Sequence, residues 1–200
     1  EWCGDVEGKC IVDLGCGGGL LSIPLIEKGA EVIGVDLSRS SLATARAVSK
    51  SGPSSRAGRF ICAGVRRVPL RSEQADIVLL ADVLDHLPDF ETALSEASRL
   101  LKPGGLVYAN TINRTRRSWI LAIVLGEGLG LIPAGTHDHA LFITPESLTR
   151  NAAATGLQLR DMRGDRPAIG KTLRSWAIHF APSSSLAVAY SAFFQKVQAC

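Results

Sequence analysis

The residues best equipped for acid–base chemistry lie together in Leu80-Ala81-Asp82-Val83-Leu84-Asp85-His86. Asp82, Asp85 and His86 are spaced i, i+3, i+4, so a helix at this point puts all three on one face. Two carboxylates and an imidazole either ligate a divalent ion or supply a general base. The plainer alternative is a helix start with an acid pair and a surface histidine. A second group is Asp13-Leu14-Gly15-Cys16-Gly17-Gly18-Gly19, which has four glycines in five positions. Glycines there let the backbone turn sharply and let a ligand approach the main chain, next to the free N–H groups of a helix start. The dinucleotide fingerprint needs a glycine at position 20 or 22, and those positions hold Leu20 and Ser22. A dinucleotide site is excluded by spacing. Asp36 is placed for ribose hydroxyls, because a carboxylate accepts two hydrogen bonds from a vicinal diol.

These residues need a scaffold, and the apolar pattern supplies one. Residues 10–14 read as a short buried strand running into the glycine loop. Leu20–Lys28 is helix-compatible and stopped by Gly29. Glu31–Val35 is a second strand ending at Asp36. Ser38 to about Lys50 is a helix with serine caps, and Ser51–Gly58 a loop. Arg59–Ala63 is a third strand. Asp76–Leu80 is a fourth, an apolar run of the kind buried on both faces of a parallel sheet. Phe90–Leu101 is an amphipathic helix, Lys102-Pro103-Gly104-Gly105 a hard turn, and Leu106–Asn110 a fifth strand. Strands alternating with helices predict an α/β fold, a Rossmann-like, mostly parallel seven-stranded sheet with helices on both faces. The rhythm breaks over residues 112–142, which read as a cap insertion in a single domain of residues 1–200. Pro145–Thr155 is helical again, capped by Thr144. Leu157–Cys200 supplies the last two strands.

The bulk composition is that of a globular domain, with 200 residues, 46% hydrophobic and 20% charged. A net charge of +3, with basic residues scattered, gives no case for nucleic acid. Five cysteines without a CxxC pair argue against a disulfide framework and a cysteine-rich zinc site, and for a reducing compartment. There is no signal peptide and no apolar run of 18 residues. The first strand signal comes about ten residues from Glu1, which suggests that an N-terminal portion is missing. Trp119–Ile132 is apolar except for Glu127 and follows Arg114, Arg116 and Arg117. That pattern suits either a lid helix or a segment lying on an anionic membrane surface across residues 114–132.

The pattern D-x-G-x-G-x-G resembles the nucleoside loop of methyltransferases. Loop, Asp36 and the Leu101–Gly105 segment together point to S-adenosylmethionine. The acid that many methyltransferases carry after the third strand is missing from Cys62-Ala63-Gly64-Val65-Arg66-Arg67. The Asn/Asp-Pro-Pro-aromatic tetrad of nucleic-acid amino methyltransferases is missing too. Three further blocks closely resemble the ubiquinone-biosynthesis O-methyltransferases. They are Asn113-Arg114 with Arg117-Ser118-Trp119, then Pro133-Ala134-Gly135-Thr136-His137-Asp138, then Phe142-Ile143-Thr144-Pro145. The resemblance runs from about residue 8 to about residue 163, and its most specific part is Gly135-Thr136-His137-Asp138.

The resemblance implies transfer of a methyl group to a catechol-type hydroxyl of a polyprenylated ring. It implies Gly15, Gly17, Asp36 and Ala81 at the cofactor. By their own chemistry Asp82, Asp85 and His86 either hold Mg2+ or another divalent ion or act on the phenol, with His86, Asp85 and His137 as the catalytic candidates. His137 and Asp138 either line the substrate side or pin the cap. The chain has Asp82-x-x-Asp85-His86 where the family has Glu-x-x-Glu-His, so each carboxylate reaches one methylene less. A family segment upstream of the first strand is not in this chain, and from Asp165 onward the match is loose. The expected partners are a small phenolic substrate, with or without a lipid tail, and an anionic membrane surface. The expected location is the cytoplasm or mitochondrial matrix, with a peripheral place at the inner membrane also open. A natural-product phenol O-methyltransferase, a quinone-ring C-methyltransferase and a catalytically silent binding subunit are the alternatives.

Overall fold

The computed structural model describes residues 4–51, 58–128, 135–167 and 180–197. Its eight strands join one sheet in the order β3-β2-β1-β4-β5-β8-β6-β7. They are β1 Cys10–Leu14, β2 Glu31–Asp36, β3 Arg59–Cys62, β4 Ala75–Ala81, β5 Leu101–Ile112, β6 Leu157–Pro167, β7 Phe180–Ser183 and β8 Ala189–Lys196. The first five are parallel, β8 runs antiparallel to both β5 and β6, and β7 is antiparallel to β6. Seven strands were expected. The eighth is the four-residue edge strand β7, which the loose C-terminal pattern did not resolve.

The chain builds the sheet in two directions from β1. It runs outward through β2 and β3, then returns to lay β4 and β5 on the other side of β1. The carboxyl ends of β1 and β4 therefore diverge at a switch point, where open α/β sheets leave a crevice for ligands. Helices α1 (Ser22–Glu27) and α2 (Arg39–Ser51) cover one face. Helices α3 (Phe90–Leu100) and α5 (Pro145–Ala154) cover the other. In α3 the apolar stripe Ala93, Leu94, Ala97 and Leu100 is fully buried against Val78, Leu80 and Val107. On the opposite face Ile26, Leu42 and Ala45 pack on Ile11, Val32, Ile77 and Leu79. Thr144 caps α5 by accepting the Ser147 N–H at 3.2 Å, as its sequence position predicts.

The expected hard turn at Lys102–Gly105 lies inside β5. Ala75 pairs with Leu101 while Ile77 pairs with Leu106, so the four residues form a bulge in a continuous strand. Asp76 locks it, accepting from Lys102 Nζ at 2.7 Å and from the Cys10 N–H at 2.9 Å. The described part of the cap holds α4 (Arg116–Trp119), a π-helical stretch Ile120–Glu127 and a 3-10 turn His139–Leu141. Thr115 and Ser118 close a reciprocal capping box at the start of α4. The Ser51–Gly58 loop, the Pro133-Ala134 part of the family block and the end of the Trp119–Ile132 apolar segment fall largely outside the described residues.

Candidate active site

The loop after β1 is shaped by its own glycines and backbone hydrogen bonds. Gly15 and Gly17 have φ of +81° and +50°, a region that L side chains rarely enter. Gly15 has a second constraint. A Cβ built there would lie 2.1 Å from Val83 Cγ2, so the loop after β1 and the segment after β4 touch with no room for a methyl group. The Gly15 and Cys16 N–H groups both bond the Val35 carbonyl, at 2.7 and 3.1 Å, which ties the loop to the end of β2. Asp36 completes the tie. Its Oδ2 accepts the Gly17 N–H at 2.9 Å and its Oδ1 accepts the Ser38 N–H at 2.7 Å. Each oxygen keeps a lone pair, enough for two ribose hydroxyls. Leu37, next in the chain, is 73% exposed and faces Gly64, leaving an apolar surface beside Asp36.

Beneath the loop Asp13 is buried and accepts from Ser22 Oγ at 2.6 Å. Burial pushes its carboxyl up to about 6, against the opposing hydrogen bond from Ser22 and with a further push from Asp36. Cys16 is pushed up to about 12 by burial and by the same two carboxylates, so it remains a thiol.

The segment after β4 is not a helix. Asp82 takes φ +51°, a left-handed conformation uncommon outside glycine, and only Leu84–His86 form a 3-10 turn. The one-face arrangement expected from the i, i+3, i+4 spacing is therefore replaced by two directions. Asp82 and His86 are exposed at the cleft, while Asp85 is 2% exposed and accepts from Thr111 Oγ1 at 3.2 Å. Among the described residues no three His, Cys, Asp or Glu side chains come together as metal ligands. The trio Asp82, Asp85 and His86 does not fit the cation site expected of it, because Asp85 is turned into the core.

The cap supplies the partner for His86. The His137 ring stacks near it with centroids 5.8 Å apart and planes 25° apart. His137 in turn meets the edge of buried Phe142, at 6.1 Å. Asp138 points elsewhere, accepting the Ala140 N–H at 2.9 Å and capping the 3-10 turn. The two residues of this pair thus point apart, His137 toward His86 and Asp138 into the cap. The Asp82 carboxyl is raised by desolvation first and then by Asp85 and Asp165, while His86 and His137 oppose the shift. Those five side chains thus share one electrostatic neighbourhood. Ala81 pairs with Asn110 at the floor, and the Asp82 N–H reaches the Asn110 carbonyl at 3.3 Å.

Sequence reasoning missed Asn110, Ser191 and Asp165, which hydrogen-bond to one another at this floor. Their signal is a polar residue at an inward position of an otherwise apolar strand, as in Tyr108-Ala109-Asn110 and Tyr190-Ser191-Ala192.

Residues 12–109 match the model of a methyltransferase domain. The ubiquinone biosynthesis O-methyltransferase of Leptothrix cholodnii is 38% identical over 162 residues, covering 80% of this chain and 69% of that protein. That of Methylococcus capsulatus is 38% identical over 192 residues, covering 96% and 78%. In fold, the chain is similar to the magnesium protoporphyrin IX methyltransferase of Synechocystis PCC 6803, solved with bound S-adenosylmethionine. The TM-score is 0.66 at 16% identity, over 98% of this chain and 74% of that one.

Proposed function

The chain belongs to the ubiquinone biosynthesis O-methyltransferase family, and from that premise we propose that it methylates a phenolic oxygen of a catechol-type, polyprenylated ubiquinone precursor, using S-adenosylmethionine. The observation that carries the reading is the contact of Gly15 with Val83, which sets a nucleoside loop directly beside the Asp82–His86 segment. The residues fit the cofactor: Asp36 is preset for the ribose, Gly15 and Gly17 leave the main chain bare, and Ala81 offers a small contact at the end of β4.

When bound, S-adenosylmethionine supplies a methyl group on a sulfonium, a very good leaving group, so the protein contributes mainly position and deprotonation. A free phenol has a pKa of about 10 and is scarcely ionised at neutral pH. His86 takes the phenolic proton onto its imidazole, with Asp82 beside it to stabilise the imidazolium and His137 closing the cap side. The buried Asp85 holds the turn through Thr111 and touches no substrate. No step runs through a metal ion, since the three expected ligands do not converge.

The membrane reading rests on Trp119 and Ile120, each 44% exposed, next to exposed Arg114, Arg116 and Arg117. No helix among the described residues is long and apolar enough to cross a membrane. A tailed acceptor suits a segment that rests on the bilayer surface.

Transfer of a labelled methyl group to catechols with and without a prenyl tail tests the function. Label on a ring oxygen, with the tailed catechol preferred, is the expected result. Label on ring carbon, or no transfer to any phenol, overturns it.

A further inference from the structure

Tyr190 of β8 is fully buried and belongs to the apolar cluster that includes Leu84, Ile143, Leu148 and Ala152. A phenylalanine would fill that place equally well, and a hydroxyl there costs free energy unless it is bonded. Its bond leaves the sheet. The hydroxyl donates to the Ile143 carbonyl at 3.0 Å, at the inner end of the cap. The Ile143 N–H reaches the Ile112 carbonyl of β5 at 3.1 Å, so this one residue fastens the cap to two strands. Burial first, and then Glu146 and Asp85, hold the Tyr190 phenol well above its ordinary value, which keeps it a neutral donor.

From Ile143 the fastening runs outward through a short closed loop. Phe142, 2% exposed, meets the His137 ring edge-on at 6.1 Å. Between them lies the 3-10 turn His139–Leu141. The Leu141 and Phe142 N–H groups close it on the Asp138 and His139 carbonyls, and the Asp138 side chain caps it. His137 then stacks near His86, at 5.8 Å. His86 is held from the other side, where its neighbour Asp85 accepts from Thr111 Oγ1 at 3.2 Å. Thr111 is the register partner of Tyr190 across β5 and β8, so the two side chains stand together on one face of the sheet. One cross-strand pair thus carries both halves of the stack: Thr111 the turn with His86, Tyr190 the loop with His137.

We infer that Tyr190 is a positioning residue for the methyl transfer, its buried hydroxyl setting His137 against His86 through Ile143 and Phe142. It touches no substrate and acts through the histidine. This rests on the reading of His86 as the base, and adds that a residue of the last strand fixes what that base is stacked against.

Tyr190→Phe removes the hydroxyl and keeps the ring. Methyl transfer to catechol is measured in this variant, in His137→Ala and in the double variant. A small misplacement of a group at the reacting centre costs up to about 100-fold, so Tyr190→Phe should lower kcat about 10- to 100-fold and leave the S-adenosylmethionine dissociation constant unchanged. In the His137→Ala background the same change should cost nothing further, since the group it positions is gone. Phe142→Leu leaves the Tyr190 bond in place and breaks the same path nearer its end. It should show the same pattern, and it keeps the test open if Tyr190→Phe unfolds. NMR reads the placement without turnover: the His137 ring protons, shifted by the Phe142 ring current, should move in both variants. A folded Tyr190→Phe with wild-type kcat and only a lowered unfolding midpoint, an equal loss in both backgrounds, or His137 signals that stay put would overturn the inference. Signals that move in a protein that transfers no methyl group to any phenol would overturn the proposed function and keep the placement.

Discussion

Gly15→Ala isolates the contact between the two halves of the site. An alanine at φ +81° costs about 1–2 kcal/mol in backbone strain alone. Its Cβ also lands 2.1 Å from Val83 Cγ2, and overpacking of this kind costs about 1–3 kcal/mol. The expected loss is therefore about 2–5 kcal/mol, shared between unfolding stability and cofactor affinity. The two parts separate in a double-mutant cycle. Val83→Ala removes the clashing atom and leaves Val83 Cβ at 3.2 Å, a distance that a small shift relieves. The double variant should recover the overpacking part, about 1–3 kcal/mol, and keep the backbone part. Urea unfolding and calorimetric titration with S-adenosylmethionine read the two quantities. Strict additivity of the two substitutions, or an alanine variant that melts and binds like wild type, would refute the reasoning.

Four further outcomes are expected. Asp36→Ala weakens S-adenosylmethionine binding by about 1–3 kcal/mol in a folded protein, and unchanged calorimetric affinity would remove Asp36 from the site. Asp13 ionises near 3.8 when unfolded and at about 6 when folded. Stability from this group is thus full below pH 3.8 and declines as pH rises to about 6, by about 3 kcal/mol. Asp13→Asn should flatten that slope in pH-dependent unfolding, and parallel curves for the two proteins would count against it. His86→Ala lowers kcat by about 10²- to 10⁴-fold and recovers as pH approaches the phenol pKa, while a chelator leaves wild-type turnover intact; activity lost to chelator and restored by Mg2+ would displace the base mechanism. Vesicles with anionic lipid should float the protein, and neutralising Arg116 and Arg117 together with Trp119→Ala should abolish flotation; flotation that survives these changes would dismiss the segment as the anchor.

How much was legible in the sequence depended on how local the cause is. β1, β2 and β4 follow from short apolar runs, and the Thr144–Pro145 helix start from its cap chemistry, because each is decided within a few residues. The glycine loop and Asp36 were readable for the same reason. Asp85 was not, because one left-handed residue at Asp82 redirects the chain and no helical spacing can anticipate it. Pro103, Gly104 and Gly105 read as a turn by type, but pairing with β4 holds them inside a strand as a bulge. The Asn110–Ser191–Asp165 group depends on the register of three strands, and β8 enters the sheet between β5 and β6 against chain order.

The double tether of Asp36 has a consequence for the catalytic cycle. The Gly17 and Ser38 N–H groups orient its carboxylate, so the loop offers the same grip to any adenosine. S-adenosylmethionine and S-adenosylhomocysteine carry identical adenosine, and a preset grip on that half holds both alike. Preference for fresh donor over spent product must then come from the half that differs, the methylated and positively charged sulfur. Screening by salt weakens that preference while leaving the adenosine grip in place. Turnover would then be governed by clearance of spent product, with product inhibition growing as ionic strength rises.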